Sequence, residues 1–340
     1  MRQTKGRRLQ SVGVIGGGAW GTALAQSLRH AGRDVLLWAR DSSVVKGINA
    51  RHTNELRLPG IVLDSELRAT ADIADAARQD FLVIAVPAQQ MRAVATALKP
   101  HVNRDTIAVV CAKGYEAVSA VPMSGVMLDV TGILPAILSG PSFASDVARG
   151  LPTAVSLAAF NRSDGGRLAH AIGHRHFRVY SGDDLAGVQM GGAVKNVLAI
   201  AAGIVIGRQF GASAQAALVT RAFYELSEFG RYAGAQRDTL TGLACLGDLI
   251  LTCNSPQSRN LTLGRHLGEG RSLAEALAAT GGTVEGVSTA AVVVETARAA
   301  KTKRPLEMPI ASAVHQIVSG AMTVDDAIDE LLSRPQKTEN

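Results

Sequence analysis

The feature that most constrains how this chain can fold is the cluster Gly16-Gly17-Gly18-Ala19-Trp20-Gly21, set between an apolar run, Ser11–Ile15, and a helical stretch, Thr22–Ala31. A GxGxxG spacing falls on Gly16, Gly18 and Gly21. Gly16 permits a tight turn, Gly18 lets the backbone approach a pyrophosphate, and Gly21 lets helix and strand pack closely. In a chain with 35 glycines the spacing alone is weak, and a purely structural turn competes with it. The strand before and the helix after argue against that alternative. The start of such a helix also offers unpaired amides and a partial positive charge to phosphate groups. The loop therefore predicts a dinucleotide site.

Alternation extends the unit. Val/Ile-rich runs recur at Asp34–Trp38, Phe81–Val86, Thr106–Cys111, Ala136–Leu138 and Thr153–Leu157, with helical stretches such as Gln90–Leu98 between several of them. Near-continuous apolar strands alternating with helices indicate a parallel sheet covered on both faces. Tyr180-Ser181-Gly182-Asp183-Asp184 reads as a turn, with Asp183 or Asp184 capping the next helix. Beyond it the periods are helical, as in Ala193–Ile204, Ala214–Tyr232, Ser272–Ala279, Val287–Ala300 and Val324–Leu332. The predicted organisation is a basic arm (1–10), an α/β Rossmann-type domain with a mostly parallel sheet (11–182), an all-α substrate domain (183–332) and a polar tail (333–340). A chain of 340 residues, 47% of them apolar, can bury two such cores.

The net charge of +6 suits an anionic ligand without choosing among nucleic acid, membrane surface and phosphorylated metabolite. Dispersed basic residues, with no aromatic-basic RNA motif or helix-turn-helix signature, argue against nucleic acid. The longest apolar run, Val197–Ile206, is about half a membrane span, so no membrane insertion is expected. Cys111, Cys245 and Cys253 form no CxxC pair; a reducing, cytoplasmic setting fits, and no metal site is expected.

Several polar residues stand where their surroundings are apolar. Arg40 and Asp41 follow the second predicted strand, where a dinucleotide's ribose would lie. Arg40 suits a 2′-phosphate and favours NADP(H), while Asp41 keeps NAD(H) admissible. Lys113 ends another strand on the carboxyl edge, although a solvated strand-end lysine would look the same. Gly140-Pro141-Ser142-Phe143-Ala144 ends a further strand with residues small enough for backbone to approach a ligand. Lys195 interrupts an otherwise apolar helix, where it either snorkels to solvent or is held in a site as a general base. Asp248, buried among leucines by pattern, needs a partner, and Lys195 is a plausible one. Ser258-Arg259-Asn260 offers a hydroxyl, a guanidinium fork and an amide, which together suit a phosphate; a solvated loop is the alternative.

Six ordered motifs resemble the bacterial-type NAD(P)-dependent glycerol-3-phosphate dehydrogenases: Gly21-Thr22-Ala23-Leu24-Ala25, Lys113-Gly114, Gly140–Ala144, Gly192-Ala193-Val194-Lys195-Asn196, Gly247-Asp248-Leu249 with Ser258-Arg259-Asn260, and Val284-Glu285-Gly286. The resemblance implies interconversion of glycerol 3-phosphate and dihydroxyacetone phosphate, supplying phospholipid synthesis. It implies Lys195 as general base, with Lys113, Gly140, Ser142, Asp248, Ser258, Arg259 and Asn260 contacting the substrate. It implies dinucleotide contacts at Ala19, Trp20, Arg40, Lys113, Ala144, Arg259 and Glu285, and it allows a homodimer. The chain departs from the family pattern at Cys245, where glycine is usual, and at Leu261, where arginine is usual. Two rivals stay open: a dehydrogenase of the same architecture acting on a hydroxy acid or ketopantoate-like substrate, and a non-catalytic, dinucleotide-sensing regulator that binds nucleic acid. Ser258-Arg259-Asn260 argues against the first, since those substrates carry carboxylate rather than phosphate.

Overall fold

A computed structural model describes residues 9–302 and 304–335. Residues 1–8 of the predicted arm and 336–340 of the predicted tail lie outside it. The described residues form two compact units, divided between Gln189 and Met190.

The first unit runs β1 (Ser11–Ile15), α1 (Ala19–His30), β2 (Asp34–Trp38), α2 (Ser42–Arg51), β3 (Arg68–Thr70), α3 (Ile73–Ala77), β4 (Phe81–Ile84), α4 (Met91–Leu98), β5 (Ile107–Val110), α5 (Met123–Thr131), β6 (Ala136–Ser139), α6 (Ala144–Ala148), β7 (Thr153–Ala158), α7 (Arg162–Ile172) and β8 (Phe177–Gly182). These strands form one sheet in the order β3-β2-β1-β4-β5-β6-β7-β8. Pairing is parallel from β3 to β6 and between β7 and β8; β6 and β7 run antiparallel. After β1 the chain builds outwards to β3, then returns to β1's other flank with β4. The order therefore reverses at β1, and the glycine loop leaves the sheet at that switch point, where ligands bind in open α/β sheets. All four residues of β4 are buried, as expected of a central strand covered on both faces.

Three details differ from the sequence expectation. Strands β3 and β8 carry no apolar run, because both are edge strands; β3 is three residues long, and only Phe177 of β8 is buried. Tyr180-Ser181-Gly182 is consequently the end of a strand rather than a turn. The cap assignment resolves to Asp184, whose carboxylate accepts from Gly187 N at 2.8 Å. Within the predicted arm, Leu9 is buried and Gln10 N donates to the Asp80 carboxylate, so both belong to the sheet domain.

The next helix, α8 (Leu185–Gly207), begins in the first unit, and the division falls inside it at Gln189. Ser124 Oγ donates to the Gln189 side chain at 2.8 Å, which ties that first turn to α5. The second unit continues with α9 (Gly211–Tyr232), α10 (Arg237–Leu240), a π-helical turn (Leu243–Gly247), α11 (Asp248–Asn254), α12 (Arg259–Gly268), α13 (Leu273–Thr280), α14 (Glu285–Ala299), α15 (Pro309–Val318) and α16 (Val324–Leu332). Helix α8 has the length and hydropathy to cross a membrane, yet 83% of its most apolar window is buried inside the protein. It is a core helix. The wall on one side is α12, which crosses it backbone to backbone. A Cβ on Gly203 would lie 2.1 Å from Leu261 O, and one on Gly264 would lie 1.9 Å from Ile200 O. Gly207 and Gly268 repeat the pattern one turn on, at 2.3 Å from Arg265 O and 2.5 Å from Ile204 O.

Candidate active site

In the first unit the glycine loop is built from backbone. Gly16 adopts φ +127° and donates its N–H to Trp38 O at 3.0 Å, which joins the loop to β2. At Gly21 a Cβ would stand 1.8 Å from Gly16 O, so only glycine lets α1 start so close to β1. Gly18 caps α1, yet no side chain bonds the freed amides and no acid stands in the first turn. A Cβ on Gly18 would meet nothing within 4 Å. An uncapped helix start facing open space suits a pyrophosphate, in charge and in room. Ala19 and Trp20, half-buried, form the first residues of the same helix.

Beyond β2, Arg40 is exposed. Asp41 is committed: its carboxylate accepts from Ser43 N at 2.9 Å and Ser43 Oγ at 2.7 Å, capping α2. Those bonds hold its carboxyl below the usual range. Past β5, half-buried Lys113 donates to Gly140 O at 3.1 Å, and Ser142 Oγ donates to the same oxygen at 3.1 Å. Lys113, Gly140 and Ser142 thus meet at the carboxyl ends of adjacent strands, with Ala144 opening α6 beside them. Nearby Cys111 is a poor nucleophile; burial pushes its thiol up to about 12 against the opposing pull of Lys113.

In the second unit the site is built from side chains. Lys195 is 7% exposed and Asp248 1%. Lys195 Nζ donates to Asp248 Oδ1 at 2.6 Å and to Thr252 Oγ1 at 2.7 Å. The Thr252 hydroxyl donates to Asp248 O at 2.6 Å, which leaves its lone pairs for the lysine. Lys195 therefore does not snorkel. The π-turn sets this up: its wider winding ends at Gly247, immediately before Asp248. Cys245, in that turn, fills space that a side chain at residue 191 would need, since a Cβ on Gly191 would sit 2.3 Å from its sulfur. Burial also pushes the Cys253 thiol up to about 12.

The segment Ser258-Arg259-Asn260 forms the start of α12. Ser258 caps it, its Oγ accepting from Leu261 N at 3.2 Å. Arg259 is exposed, and its guanidinium lies against Gly282, where a Cβ would approach Nη1 to 2.7 Å. Asn260 is buried, bonded to Asn196 and to Gly286 N, so its amide is largely engaged within the protein. Leu261 is buried too, so the position where arginine is usual turns into the core. Glu285 opens α14, half-buried. Thr252 was missed from sequence although it lies four residues after Asp248 on the same helical face, a spacing that marks neighbours. Asn196 and Gly286 stand out in the sequence only as members of motifs.

A glycine loop at the switch point of a parallel sheet, with a buried lysine–carboxylate pair in a helical unit, defines the class of nicotinamide-dependent dehydrogenases with a separate helical domain. Comparison with known proteins narrows it. The model of the NAD-dependent glycerol-3-phosphate dehydrogenase N-terminus matches residues 11–164, and that of the C-terminus matches 184–329. The chain is 51% identical, over 97% of its length and 98% of the other's, to the glycerol-3-phosphate dehydrogenase [NAD(P)+] of Parvibaculum lavamentivorans. The crystal structure of the Coxiella burnetii glycerol-3-phosphate dehydrogenase aligns with TM-score 0.89 at 37% identity, covering 96% of this chain and 99% of that one. A ketopantoate reductase from Ralstonia eutropha shares the fold alone, with TM-score 0.53 and 17% identity over 92% of this chain and 99% of that one. The chain belongs to the NAD-dependent glycerol-3-phosphate dehydrogenase family.

Proposed function

We propose that this chain interconverts sn-glycerol 3-phosphate and dihydroxyacetone phosphate and prefers NADPH to NADH. The observation that carries the reaction is the buried Lys195–Asp248–Thr252 cluster. When bound, the nicotinamide supplies or accepts the hydride at substrate C2. Lys195 supplies the matching proton. In reduction its ammonium protonates the oxygen developing at C2, and in oxidation its amine takes that proton back. Asp248 keeps the ammonium charged for the first direction, while Thr252 fixes where Nζ points.

Ser258, Arg259 and Asn260 take the substrate phosphate, and Asn260 also ties the start of α12 to α8 and α14. Lys113, Gly140 and Ser142 are further substrate contacts. Gly16, Gly18, Ala19, Trp20, Gly21, Arg40, Lys113, Ala144, Arg259 and Glu285 contact the dinucleotide. The cofactor preference rests on Arg40 and Asp41 together. Arg40 is an exposed cation at the end of β2, and the Asp41 carboxylate, occupied as a helix cap, is a poor acceptor for a ribose hydroxyl. The reductive direction supplies glycerol 3-phosphate for phospholipid synthesis. Three buried free thiols support a reducing, cytoplasmic setting.

Oxidation of NADPH on adding dihydroxyacetone phosphate, but not ketopantoate or a 2-oxo acid, tests the substrate. In Arg259→Ala, kcat/KM for dihydroxyacetone phosphate falls strongly at saturating cofactor, while the poor turnover of unphosphorylated dihydroxyacetone barely changes. Equal loss of both would overturn the phosphate assignment. Arg40→Ala weakens NADPH more than NADH, by about 1.5–3 kcal/mol, in a direct binding titration.

A further inference from the structure

Lys195, Arg259 and Glu285 stand on three different helices, and one buried chain of hydrogen bonds joins those helices beside them. Asn196, the residue after Lys195 on α8, donates Nδ2–H to Gly192 O at 3.3 Å within its own helix. Its Oδ1 accepts from Asn260 Nδ2 at 2.9 Å, which reaches α12. Asn260 Oδ1 in turn accepts from Gly286 N at 3.0 Å, which reaches the first turn of α14. Asn196 is 5% exposed and Asn260 8%. The third member has to be glycine. A Cβ on Gly286 would lie 2.6 Å from Asn196 O and 2.7 Å from Asn260 Oδ1, so any side chain there would push all three helices apart.

Two buried amides meeting end to end are an expensive way to fill a core unless their direction matters, because each polar end must find a partner. Here both hydrogen bonds between helices join residues next to ones proposed to touch a ligand. Asn260 adjoins Arg259, Gly286 adjoins Glu285, and Asn196 adjoins Lys195. We propose that Asn196 is a positioning residue that, through Asn260 and Gly286, couples occupation of the phosphate subsite to occupation of the dinucleotide subsite. This rests on the assignment of Arg259 to the substrate phosphate and of Glu285 to the dinucleotide. A ligand that fixes the start of α12 fixes the start of α14 through Asn260, so each ligand prepares the other's contacts. Linkage makes the effect reciprocal.

The test uses the unreactive pair NADPH and glycerol 3-phosphate, both reduced, so that binding is read without turnover. NADPH affinity is titrated by quenching of tryptophan fluorescence, with and without saturating glycerol 3-phosphate. In the native protein each ligand tightens the other on the order of tenfold. In Asn196→Ala that factor falls towards one, while glycerol 3-phosphate alone still binds and the circular dichroism spectrum is unchanged. Gly286→Ala, which attacks the joint from the other end, gives the same loss. In an Asn260→Ala background, Asn196→Ala changes the factor no further, because Asn196 acts only through Asn260. An undiminished factor in Asn196→Ala, additive effects in the double variant, or no coupling in the native protein overturns the proposal. The underlying assignment fails separately, if Arg259→Ala binds glycerol 3-phosphate as tightly as the native protein.

Discussion

The two units make their sites from different materials. In the α/β unit the site proposed for the pyrophosphate is backbone: a glycine at φ +127°, an uncapped helix start and a gap in front of Gly18. In the helical unit it is side chains, a buried lysine held by a carboxylate and a hydroxyl. At Gly18 that site depends on what is absent, so it can fail there without loss of stability. A buried charged pair cannot, because removing one partner strands the other in a medium that solvates it poorly. Function and folding are separable at Gly18 and entangled at Lys195.

The largest expected effect breaks the helical side. Lys195→Met lowers kcat by roughly 10²–10⁴-fold. It also lowers Tm, because Asp248 loses the cation buried beside it, with a cost of about 3–5 kcal/mol. Adding Asp248→Asn restores much of the Tm and none of the kcat, as thermal melts and steady-state rates on the three proteins would show. A variant that keeps normal turnover removes Lys195 from proton transfer.

Next comes Gly264→Ala, which forces a methyl group against Ile200 O and should cost about 1–3 kcal/mol of stability in denaturant titrations. Because Lys195 and Arg259 ride on the two helices it separates, kcat/KM falls with it. Gly18→Ala sharpens the contrast from the other unit. Its methyl group meets no protein atom within 4 Å, so Tm stays unchanged while NADPH binds about tenfold more weakly. Equal loss of stability in the two glycine variants would erase the distinction.

A pH-dependent effect concerns Glu225, buried on α9, whose carboxylate accepts from Ile310 N at 2.6 Å and Ala311 N at 3.1 Å at the start of α15. Burial outweighs these two bonds and raises its pKa to about 7 from an ordinary 4.5. The folded state therefore favours the neutral acid. Stability from this group is full below pH 4.5 and is lost as pH rises through about 7. Relative to native protein, Glu225→Gln gains up to roughly 1.4 kcal/mol for each pH unit across that window, read from Tm against pH. A gap that does not move with pH would mean that Glu225 stays ionised throughout.

The same contrast explains what could be read from sequence. Strands β1 and β2 are legible to the residue because central strands are apolar on both faces, and the glycine loop because its spacing is local. The edge strands β3 and β8 were invisible, since an edge carries polar residues by necessity. On the helical side, Lys195 and Asp248 each stood out as charges among apolar neighbours, and their need for partners suggested one another across 53 positions. Thr252 and Asn196 gave no such signal. A threonine or asparagine in a helix is ordinary, and only the fold reveals that it faces a lysine or another amide. Ser258 and Asn260 are buried at the start of α12 while Arg259 is exposed, a difference that three successive polar residues do not reveal in sequence.

The crossing of α8 and α12 through four glycines has a consequence for how this protein can change over generations. A contact between side chains can drift by compensation, a larger residue on one helix answered by a smaller one on the other. Glycine has nothing smaller to offer. Gly203, Gly207, Gly264 and Gly268 each abut main chain on the opposite helix, so no single exchange at any of them has a local remedy. The spacing between the helix that carries Lys195 and the helix that carries Arg259 is thereby removed from the reach of gradual substitution. Descendants of this sequence can retune the residues on those helices, but not the distance between their axes.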